Sequence, residues 1–258
     1  MNQLDLTGRT AIVTAGARGI GLAAAQAIAA AGGNVVLTAR RQDSADAAAA
    51  QVCGDALGIA AHVVNEAAAQ RCVDAAIDRF GGIDILVNNA GNNPACGPVL
   101  DQDYMRFTKA FGVNVWAPIL WTSVARRAWM GEHGGVVINT AAIGGMIGEP
   151  GFGLYNASKA ALIHLTEQLS VELSPKVRVN AIAQGFVRTK PAEALRKDRE
   201  KEVNSATASA RVREPEDIGE AIAVLASDAA TWVTGETFVI GGGHSLGGAE
   251  EVSDAADI

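Results

Sequence analysis

A tyrosine and a lysine four residues apart are the pair whose types and spacing point most directly to chemistry. They occur as Tyr155-x-x-x-Lys159 within the stretch GFGLYNASKAALIHL. If this stretch is helical, the two side chains are neighbours on one face. An ammonium group beside a phenol stabilises the phenolate and lowers the tyrosine pKa, which makes an acid or base that works near neutral pH. Taken alone, an amphipathic helix with a surface tyrosine and lysine is the simpler interpretation, but two motifs upstream reverse that preference.

The first of these motifs is a glycine-rich turn near the N-terminus. The apolar run Thr10–Thr14 predicts a buried strand, and AGARGIG leads from it into an alanine-rich helix that ends at Gly32-Gly33. In this order of elements, glycines let the backbone approach a pyrophosphate and the helix N-terminus offers free N–H groups. The turn residues expected to contact a dinucleotide are Gly16, Arg18, Gly19, Ile20 and Gly21.

The end of the second predicted strand indicates which dinucleotide is bound. Asn34–Thr38 is followed by Ala39-Arg40-Arg41, where an NAD enzyme usually has a carboxylate for the ribose. Guanidinium groups instead match a 2′-phosphate through paired, charge-assisted hydrogen bonds. The sequence therefore favours NADP(H), with Arg40 and Arg41 offering guanidinium groups to the 2′-phosphate and Arg18 of the glycine turn able to join them. The alternative is that these arginines are solvated charges before the predicted helix Ser44–Val52.

The rest of the chain alternates strands and helices, which predicts βαβ units and an α/β fold with a parallel sheet. The further predicted strands are Ile59–Val64, Ile83–Val87, Gly134–Asn139, Val177–Ile182 and Thr237–Ile240. The further predicted helices are Ala67–Phe80, Asp101–Trp129, the Tyr155/Lys159 helix up to Leu173, and Glu214–Ser227. Without an internal repeat or a linker, we expect a single domain over residues 1–258, of which residues 244–258 form a flexible tail.

Composition excludes several classes of protein. A net charge of -7 over 258 residues, without a lysine or arginine run, argues against nucleic-acid binding. No signal peptide is recognisable, and no apolar run approaches the roughly 20 residues of a membrane span, so a soluble cytoplasmic protein is expected. The three cysteines show neither disulfide nor metal-ligand spacing, and no metal site is predicted.

Together these motifs resemble the short-chain dehydrogenase/reductase family over essentially the whole chain. The features that carry the resemblance are the glycine turn, the NNAG motif at Asn88–Gly91, Asn114, the Tyr155/Lys159 pair, and Thr189 after Gly185-Phe186-Val187-Arg188. The chain is most similar to the bacterial 3-oxoacyl-(acyl-carrier-protein) reductases and carbonyl reductases of that family. The resemblance implies a Rossmann-type, doubly wound sheet of seven parallel strands, and a homotetramer built on two long helices.

The resemblance also implies roles for individual residues. Tyr155 donates a proton to the carbonyl oxygen, Lys159 lowers its pKa and holds the nicotinamide ribose, and Asn114 anchors a water that leads to Lys159. Asn88 lines the cofactor cleft, and Thr189 meets the nicotinamide carboxamide. The other cofactor contacts expected on this basis are Asn65, Ala90, Gly91, Gly185 and Val187.

The chain departs from the family pattern at the position of the catalytic serine, thirteen residues before the tyrosine. Ala142 stands there, and its methyl group cannot donate a hydrogen bond to a carbonyl oxygen. Losing one such donor typically lowers the rate about 10²–10³-fold. Thr140, two residues earlier and on the same face of an extended strand, is a candidate replacement.

Four further motif positions also differ from the family. Ala15 replaces the first glycine of the turn, at a cost of about 1 kcal/mol or more if the position needs a positive φ. Asn65 replaces an aspartate that receives the adenine amino group, although its amide oxygen can still accept. Gln184 replaces a proline, and Gly241 replaces an aspartate.

Two functions are therefore carried forward, beside a third alternative, suggested by Ala15, of a protein with this fold that binds no dinucleotide. The first is hydride transfer between NADP(H) and a small carbonyl, alcohol or acyl substrate, at a rate reduced by Ala142. The second is a cofactor-binding protein with weak or no catalysis that acts as a sensor or an oligomeric scaffold. The segments that line the substrate cleft in this family contain several apolar residues, which suggest that the substrate is an apolar ketone or carries an acyl chain. The alternative is that these side chains only pack the loops. They are Trp116, Met146, Ile147, Phe152 and Phe186.

Overall fold

Seven short strands form one parallel sheet in the order β3-β2-β1-β4-β5-β6-β7. The computed structural model describes residues 4–94, 96–188, 209 and 213–243. The strands are β1 Thr10–Val13, β2 Asn34–Ala39, β3 Ala56–Ala60, β4 Ile85–Asn88, β5 Gly135–Thr140, β6 Val177–Gln184 and β7 Thr237–Ile240. Near-continuous apolar runs such as Ile85–Asn88 are buried along their whole length, as expected for a parallel sheet covered on both faces.

Helices cover both faces of the sheet. They are α1 Gly19–Ala30, α2 Gln42–Ala49, α3 Glu66–Phe80, α4 Tyr104–Phe111, α5 Ala117–Ala125, α6 Gly131–His133, α7 Gly153–Leu173 and α8 Pro215–Ala226. Apolar side chains of α1, α2 and α8 form the core on one face, and those of α3 and α5, with the C-terminal part of α7, form the core on the other. None of the helices in these ranges is long and apolar enough to cross a membrane.

The order of the strands determines where a ligand fits. Successive strands are added outward in opposite directions from β1 and β4, which are hydrogen-bonded neighbours. A crevice opens at such a switch point, outside the carboxyl ends of the strands, and ligands of doubly wound sheets bind there. The glycine turn follows β1 and the Asn88–Gly91 motif ends β4, so the fold brings both predicted motifs to this crevice.

The predicted elements that differ most from the structure are the third strand and the long helix, whereas most others differ by one to three residues at their ends. The third strand is Ala56–Ala60 rather than Ile59–Val64, because its register pairs Ala56 with Val35 of β2. Gly58 lies within β3 and lets the strand pass the backbone of α2: a Cβ there would lie 2.4 Å from the Ala45 carbonyl oxygen.

The predicted long helix Asp101–Trp129 is also subdivided. It begins at Tyr104, after the Asp103 side chain caps the N–H of Arg106 at 2.8 Å. Single turns of π-helix at Gly112–Trp116 and Arg126–Met130 then interrupt it. The predicted flexible tail, residues 244–258, lies outside the described residues.

Candidate active site

The glycine turn is held against β2 by backbone contacts that leave no room for larger residues. Gly16 N donates to the Thr38 carbonyl at 2.9 Å, and Ala15 N donates to the Thr38 hydroxyl at 3.1 Å. A Cβ on Gly16 would lie 2.7 Å from the Leu37 Cβ. Ala15 adopts φ 51°, the left-handed conformation that disfavours a residue with a Cβ. The strain expected if position 15 has a positive φ is therefore present.

Asn89 ties the glycine turn to the end of β4. Its Nδ2 donates to the carbonyls of Thr14 and Ala15 at 3.0 and 3.2 Å, and a Cβ on Gly21 would lie 2.4 Å from this nitrogen. The Thr14 hydroxyl accepts from the N–H groups of Asn89 and Ala90 at 2.9 and 3.1 Å. Neither Asn89 nor Thr14 was predicted as a site residue, although Asn89 lies within the motif Asn88–Gly91 and could have been chosen from it.

The N-terminus of α1 is open to an anion. Arg18 is the N-cap in an extended conformation and makes no side-chain hydrogen bond to the helix. Gly19 has φ 53° and starts the helix. The first backbone N–H groups of a helix are available to a phosphate when no side chain caps them. The turn, its close packing and this open helix end therefore fit the pyrophosphate of a dinucleotide.

The two arginines after β2 differ in what they contact. Arg41 Nε donates to Asp43 Oδ1 at 2.9 Å, its Nη2 also pairs with that carboxylate, and these bonds hold the pKa of Asp43 at about 2. Arg40 is exposed and makes no ion pair with any residue in the described part of the chain. Arg40 is thus available for a 2′-phosphate, whereas Arg41 neutralises the nearby carboxylate.

Two asparagines predicted to contact the cofactor have side chains engaged elsewhere. Asn88 is 2% exposed, and its Nδ2 donates to Asn139 Oδ1 at 2.9 Å and to the Thr122 hydroxyl at 3.3 Å. Its side-chain amide is thus bonded to β5 and α5 in the interior of the fold. Asn65 Oδ1 accepts from Ala68 N at 2.9 Å and caps α3, so the oxygen expected to accept from adenine already has a donor.

The catalytic pair lies near the N-terminus of α7. Lys159 Nζ is 5.8 Å from the centre of the Tyr155 ring, as expected for an i,i+4 pair on one helical face. The lysine is buried, and its Nζ donates to the Thr140 carbonyl at 2.5 Å. Burial lowers the pKa of Lys159 to about 8.

The net shift of the Tyr155 pKa is opposite in direction to the predicted one. Burial raises the pKa of Tyr155 to about 12, and the negative charge of Glu149 adds to this rise. Desolvation disfavours the phenolate more strongly than a lysine 5.8 Å from the ring favours it. At neutral pH Tyr155 therefore holds its proton, which suits a proton donor.

Asn114 is fixed by a buried network within the first π turn. Its Oδ1 accepts from Asn92 N at 2.9 Å, and its Nδ2 donates to Asn92 O at 2.9 Å and to the Ser158 hydroxyl at 2.8 Å. Ser158 in turn donates to the Tyr155 carbonyl at 2.6 Å. Turns of π-helix often occur at functional sites because they redirect a side chain.

Gly91 marks the point at which the predicted catalytic residues converge. A Cβ placed on Gly91 would lie 3.4 Å from Lys159 Nζ and 3.6 Å from Asn114 Oδ1. These two groups therefore border the same space at the end of β4, beside Ala90.

The serine position and its candidate replacement lie at the end of β5. Ala142 is extended and nearly buried, and its carbonyl accepts from Gly145 N at 2.9 Å. The strand extends to Thr140, and the Thr140 hydroxyl is buried without a hydrogen-bond partner among the described residues. A hydroxyl thus lies two residues before Ala142 along the extended chain, deeper in the sheet.

The segment after β6 is held by Arg213. Gly185 N donates to the Ile240 carbonyl at 3.3 Å, and a Cβ on Gly185 would lie 2.6 Å from Arg213 Nη1. Val187 pairs with Arg213 as an isolated parallel bridge. Thr189, predicted to meet the nicotinamide, lies outside the described residues.

Comparison with known proteins identifies the family. The family model described as "Enoyl-(Acyl carrier protein) reductase" matches residues 14–245. Human "Dehydrogenase/reductase SDR family member 4" is 39% identical over 245 residues, covering 92% of this chain and 88% of that protein. The chain belongs to the short-chain dehydrogenase/reductase family.

Other members of the short-chain dehydrogenase/reductase family support the same conclusion. The protein of the same name from Caenorhabditis elegans is 36% identical, with 92% of this chain and 95% of that protein covered. The crystal structure of a short-chain type dehydrogenase/reductase from Mycobacterium marinum superposes with a TM-score of 0.88 at 34% identity, covering 95% of this chain and 98% of that one. The predicted fold class is confirmed by this match and by the observed sheet.

Short-chain dehydrogenases/reductases are oxidoreductases that use a nicotinamide cofactor, and the open end of α1, the glycine turn and Gly91 fit such a group. Within the described residues, no group of three or more histidine, cysteine or acidic side chains is arranged to hold a metal ion.

Proposed function

We propose that this protein transfers hydride between NADP(H) and a small carbonyl or alcohol substrate, of the ketone or 3-oxoacyl type, at a rate lowered by Ala142. The convergence of Lys159 and Asn114 on Gly91, with Tyr155 on the same helical face as Lys159, carries this proposal. Arg40, exposed and unpaired within the described ranges, supports the preference for NADP(H). Tyr155, whose pKa burial raises to about 12, holds its proton at neutral pH and can therefore donate it to a carbonyl oxygen.

Each side chain has a defined task in this reaction. The cofactor, when bound, supplies the hydride. Tyr155 donates its proton to the carbonyl oxygen as negative charge develops there. Lys159, which is protonated below about pH 8, provides positive charge beside the resulting phenolate. Asn114 holds the backbone of Asn92 and the helix at Ser158, and so keeps Tyr155 and Lys159 in position.

Ala142 is the observation that favours the second candidate, a cofactor-binding protein acting as a sensor or scaffold. The methyl group leaves the carbonyl oxygen with one donor fewer than the family pattern supplies, and Ala15 adds strain to the turn. Under this candidate, NADPH binds but ketones are not reduced.

We also propose that the chain assembles as a homotetramer. One exposed apolar patch includes Leu100, Tyr104 and Met105, at and before the start of α4. Further exposed apolar side chains are Trp232, which is 98% exposed, and the partly exposed Phe238 and Val239 on the edge strand β7. Large exposed apolar patches and open sheet edges favour association, and two separate self-complementary patches generate a tetramer with two-fold axes.

The experiment that tests the function is a fluorescence titration with NADPH and with NADH, followed by turnover of a panel of small ketones. We expect tighter binding of NADPH and measurable ketone reduction. NADPH binding without turnover of any ketone would support the sensor or scaffold. Absence of binding to either cofactor would contradict both candidates.

A further inference from the structure

Two buried polar side chains without partners lie at the carboxyl ends of neighbouring strands. Thr140 is the last residue of β5, and Gln184 is the last residue of β6. The Thr140 hydroxyl and Gln184 Oε1 are both buried, and neither has a hydrogen-bond partner within the described ranges of the chain. Buried polar atoms in folded proteins almost always have partners, so these two oxygens call for a ligand or an ordered water.

The two side chains lie on the same face of the sheet. Thr140 pairs with Ile182 in the parallel register, and Gln184 is two residues further along β6. Residues two apart on a strand share a face, so Thr140 and Gln184 are diagonal neighbours, roughly 7–8 Å apart at Cα. A long side chain such as glutamine can reach a ligand group shared with its neighbour at that spacing.

This face of the sheet is the one that α1 covers. Ile138, two residues before Thr140, packs in the apolar core that includes side chains of α1 and α8. Ile182, two residues before Gln184, belongs to the same core. Ala183, between them on β6, packs instead on the side of α7. Thr140 and Gln184 therefore share a face with α1, whose open N-terminus fits a pyrophosphate.

Lys159 relates this face to the ribose of the cofactor. Its Nζ donates to the Thr140 carbonyl at 2.5 Å, so the lysine proposed to hold the nicotinamide ribose contacts the same residue as the unpaired hydroxyl. The nicotinamide ring is attached to that ribose. Its carboxamide is therefore the polar cofactor group that we expect within reach of Thr140 and Gln184.

A primary carboxamide matches both unpaired oxygens. Its N–H group can donate to Gln184 Oε1, and its carbonyl can accept from the Thr140 hydroxyl. A ketone in place of the carboxamide has no N–H group and would leave Gln184 Oε1 buried without a donor. The proline expected at position 184 from the family pattern has no side-chain acceptor for this contact.

We propose that Thr140 and Gln184 bind the carboxamide of the nicotinamide ring and so make this protein select its cofactor by that amide. The departure at position 184 then exchanges a rigid proline for a polar contact that holds the ring. This inference rests on the proposed function, since it assigns contacts to the cofactor of the same site.

The test is a calorimetric titration with three ligands in the absence of any ketone. They are NADP⁺, its 3-acetylpyridine analogue, in which a methyl ketone replaces the carboxamide, and 2′-phospho-ADP-ribose, which lacks the ring. We expect the wild type to bind NADP⁺ about tenfold or more tightly than the analogue, because the analogue leaves a buried acceptor unpaired.

Two variants identify the side chains responsible. Gln184→Met should bring the ratio of the two Kd values, analogue over NADP⁺, close to one. Thr140→Val should weaken both ligands by the same factor, about fivefold, because both retain the carbonyl that accepts from Thr140. Neither variant should change binding of 2′-phospho-ADP-ribose. Gln70→Met is the matched control, since this amide on α3 pairs with Asp74 at 2.8 Å, and it should keep the wild-type ratio.

Thermal unfolding of the free protein provides a second measurement. Gln184→Met and Thr140→Val each replace a buried, unpaired oxygen by an apolar group of similar shape, so each should raise Tm without cofactor while weakening NADP⁺ binding. A lower Tm in both variants would show that these oxygens are bonded within the free protein, and would overturn the proposal.

The results separate failure of the carboxamide contact from failure of the proposed function. If no ketone is reduced, but the wild-type ratio is about tenfold or more and falls in Gln184→Met, the contact stands and the proposed catalysis fails. If ketones are reduced, but the wild-type ratio is close to one or Gln184→Met preserves it, the catalysis stands and the contact is overturned. If neither NADP⁺ nor 2′-phospho-ADP-ribose binds, both are overturned.

Discussion

The ammonium of Lys159 donates a 2.5 Å hydrogen bond to the backbone carbonyl of Thr140, on the strand that leads to Ala142. This bond joins α7 to β5 at the centre of the site. Since the acceptor is a backbone atom, the position of the lysine does not depend on a particular side chain in β5. Lys159 therefore remains anchored although position 142 lacks a serine hydroxyl.

Burial of Lys159 gives the stability of the protein a defined pH dependence. The unfolded chain holds this proton up to about pH 10.5, whereas the folded protein releases it near pH 8. Between these values the unfolded state binds more protons, so the free energy of unfolding rises with pH. The difference corresponds to about 3 kcal/mol over the whole window.

Lys159→Met tests this dependence. Relative to the variant, the wild type should gain stability as the pH rises from about 7.5 to 10, measured by urea unfolding at each pH. The pH range ends at 10 because the raised pKa of Tyr155, about 12, makes the free energy of unfolding fall with pH above 10. Parallel curves for the two proteins would show that Lys159 titrates normally.

Arg40 and Arg41 are predicted to differ in their effect on the cofactor. Arg40→Ala should weaken NADPH binding about ten- to a hundredfold, because a charge-assisted hydrogen bond to the 2′-phosphate is lost, while NADH binding changes little. Arg41→Ala is the matched control, since this arginine already pairs with Asp43. Fluorescence titration measures both cofactors, and equal effects of the two substitutions would contradict the assignment.

Ala15→Gly should stabilise the protein by relieving the left-handed backbone at φ 51°. The strain of about 1–2 kcal/mol for a residue with a Cβ exceeds the roughly 0.5–1 kcal/mol by which glycine favours the unfolded chain. Thermal and urea unfolding measure the gain. Ala17→Gly, in the same turn but without a positive φ, should destabilise instead, and a gain of equal size there would refute the explanation.

Two substitutions test the proposed homotetramer. Trp232→Glu and Met105→Glu each place a charge at an exposed apolar position and should each divide the tetramer into dimers, as measured by light scattering after size exclusion. A wild type that is monomeric at micromolar concentration would contradict the assembly.

The sequence was sufficient to predict the elements whose patterns are local. Apolar runs predicted the first strand and the first helix. The glycine turn and the Tyr155/Lys159 pair were predicted from residue types and spacings that few other structures require. The predicted start of β3 was wrong, because Gly58 lies inside the strand and lets β3 pass α2 closely. That role depends on a partner distant in sequence.

The electrostatics of the site could not be read from spacing alone. The rise of the Tyr155 pKa depends on burial and on Glu149, which the fold brings near it, and the inward orientation of Asn88 depends on Asn139. Spacing along a helix predicts which side chains are neighbours, but burial decides which of them ionise.

The most direct test of the proposed function is the kcat of Ala142→Ser for NADPH-dependent reduction of a ketone. The account predicts that the serine hydroxyl restores the missing donor to the carbonyl oxygen and raises kcat about 10²–10³-fold. Ala141→Ser, one residue earlier on the opposite face of the strand, is the control and should give no such rise. If Ala142→Ser binds NADPH and kcat does not rise, then Tyr155, Lys159 and Asn114 do not form a reductase site that lacks only its serine.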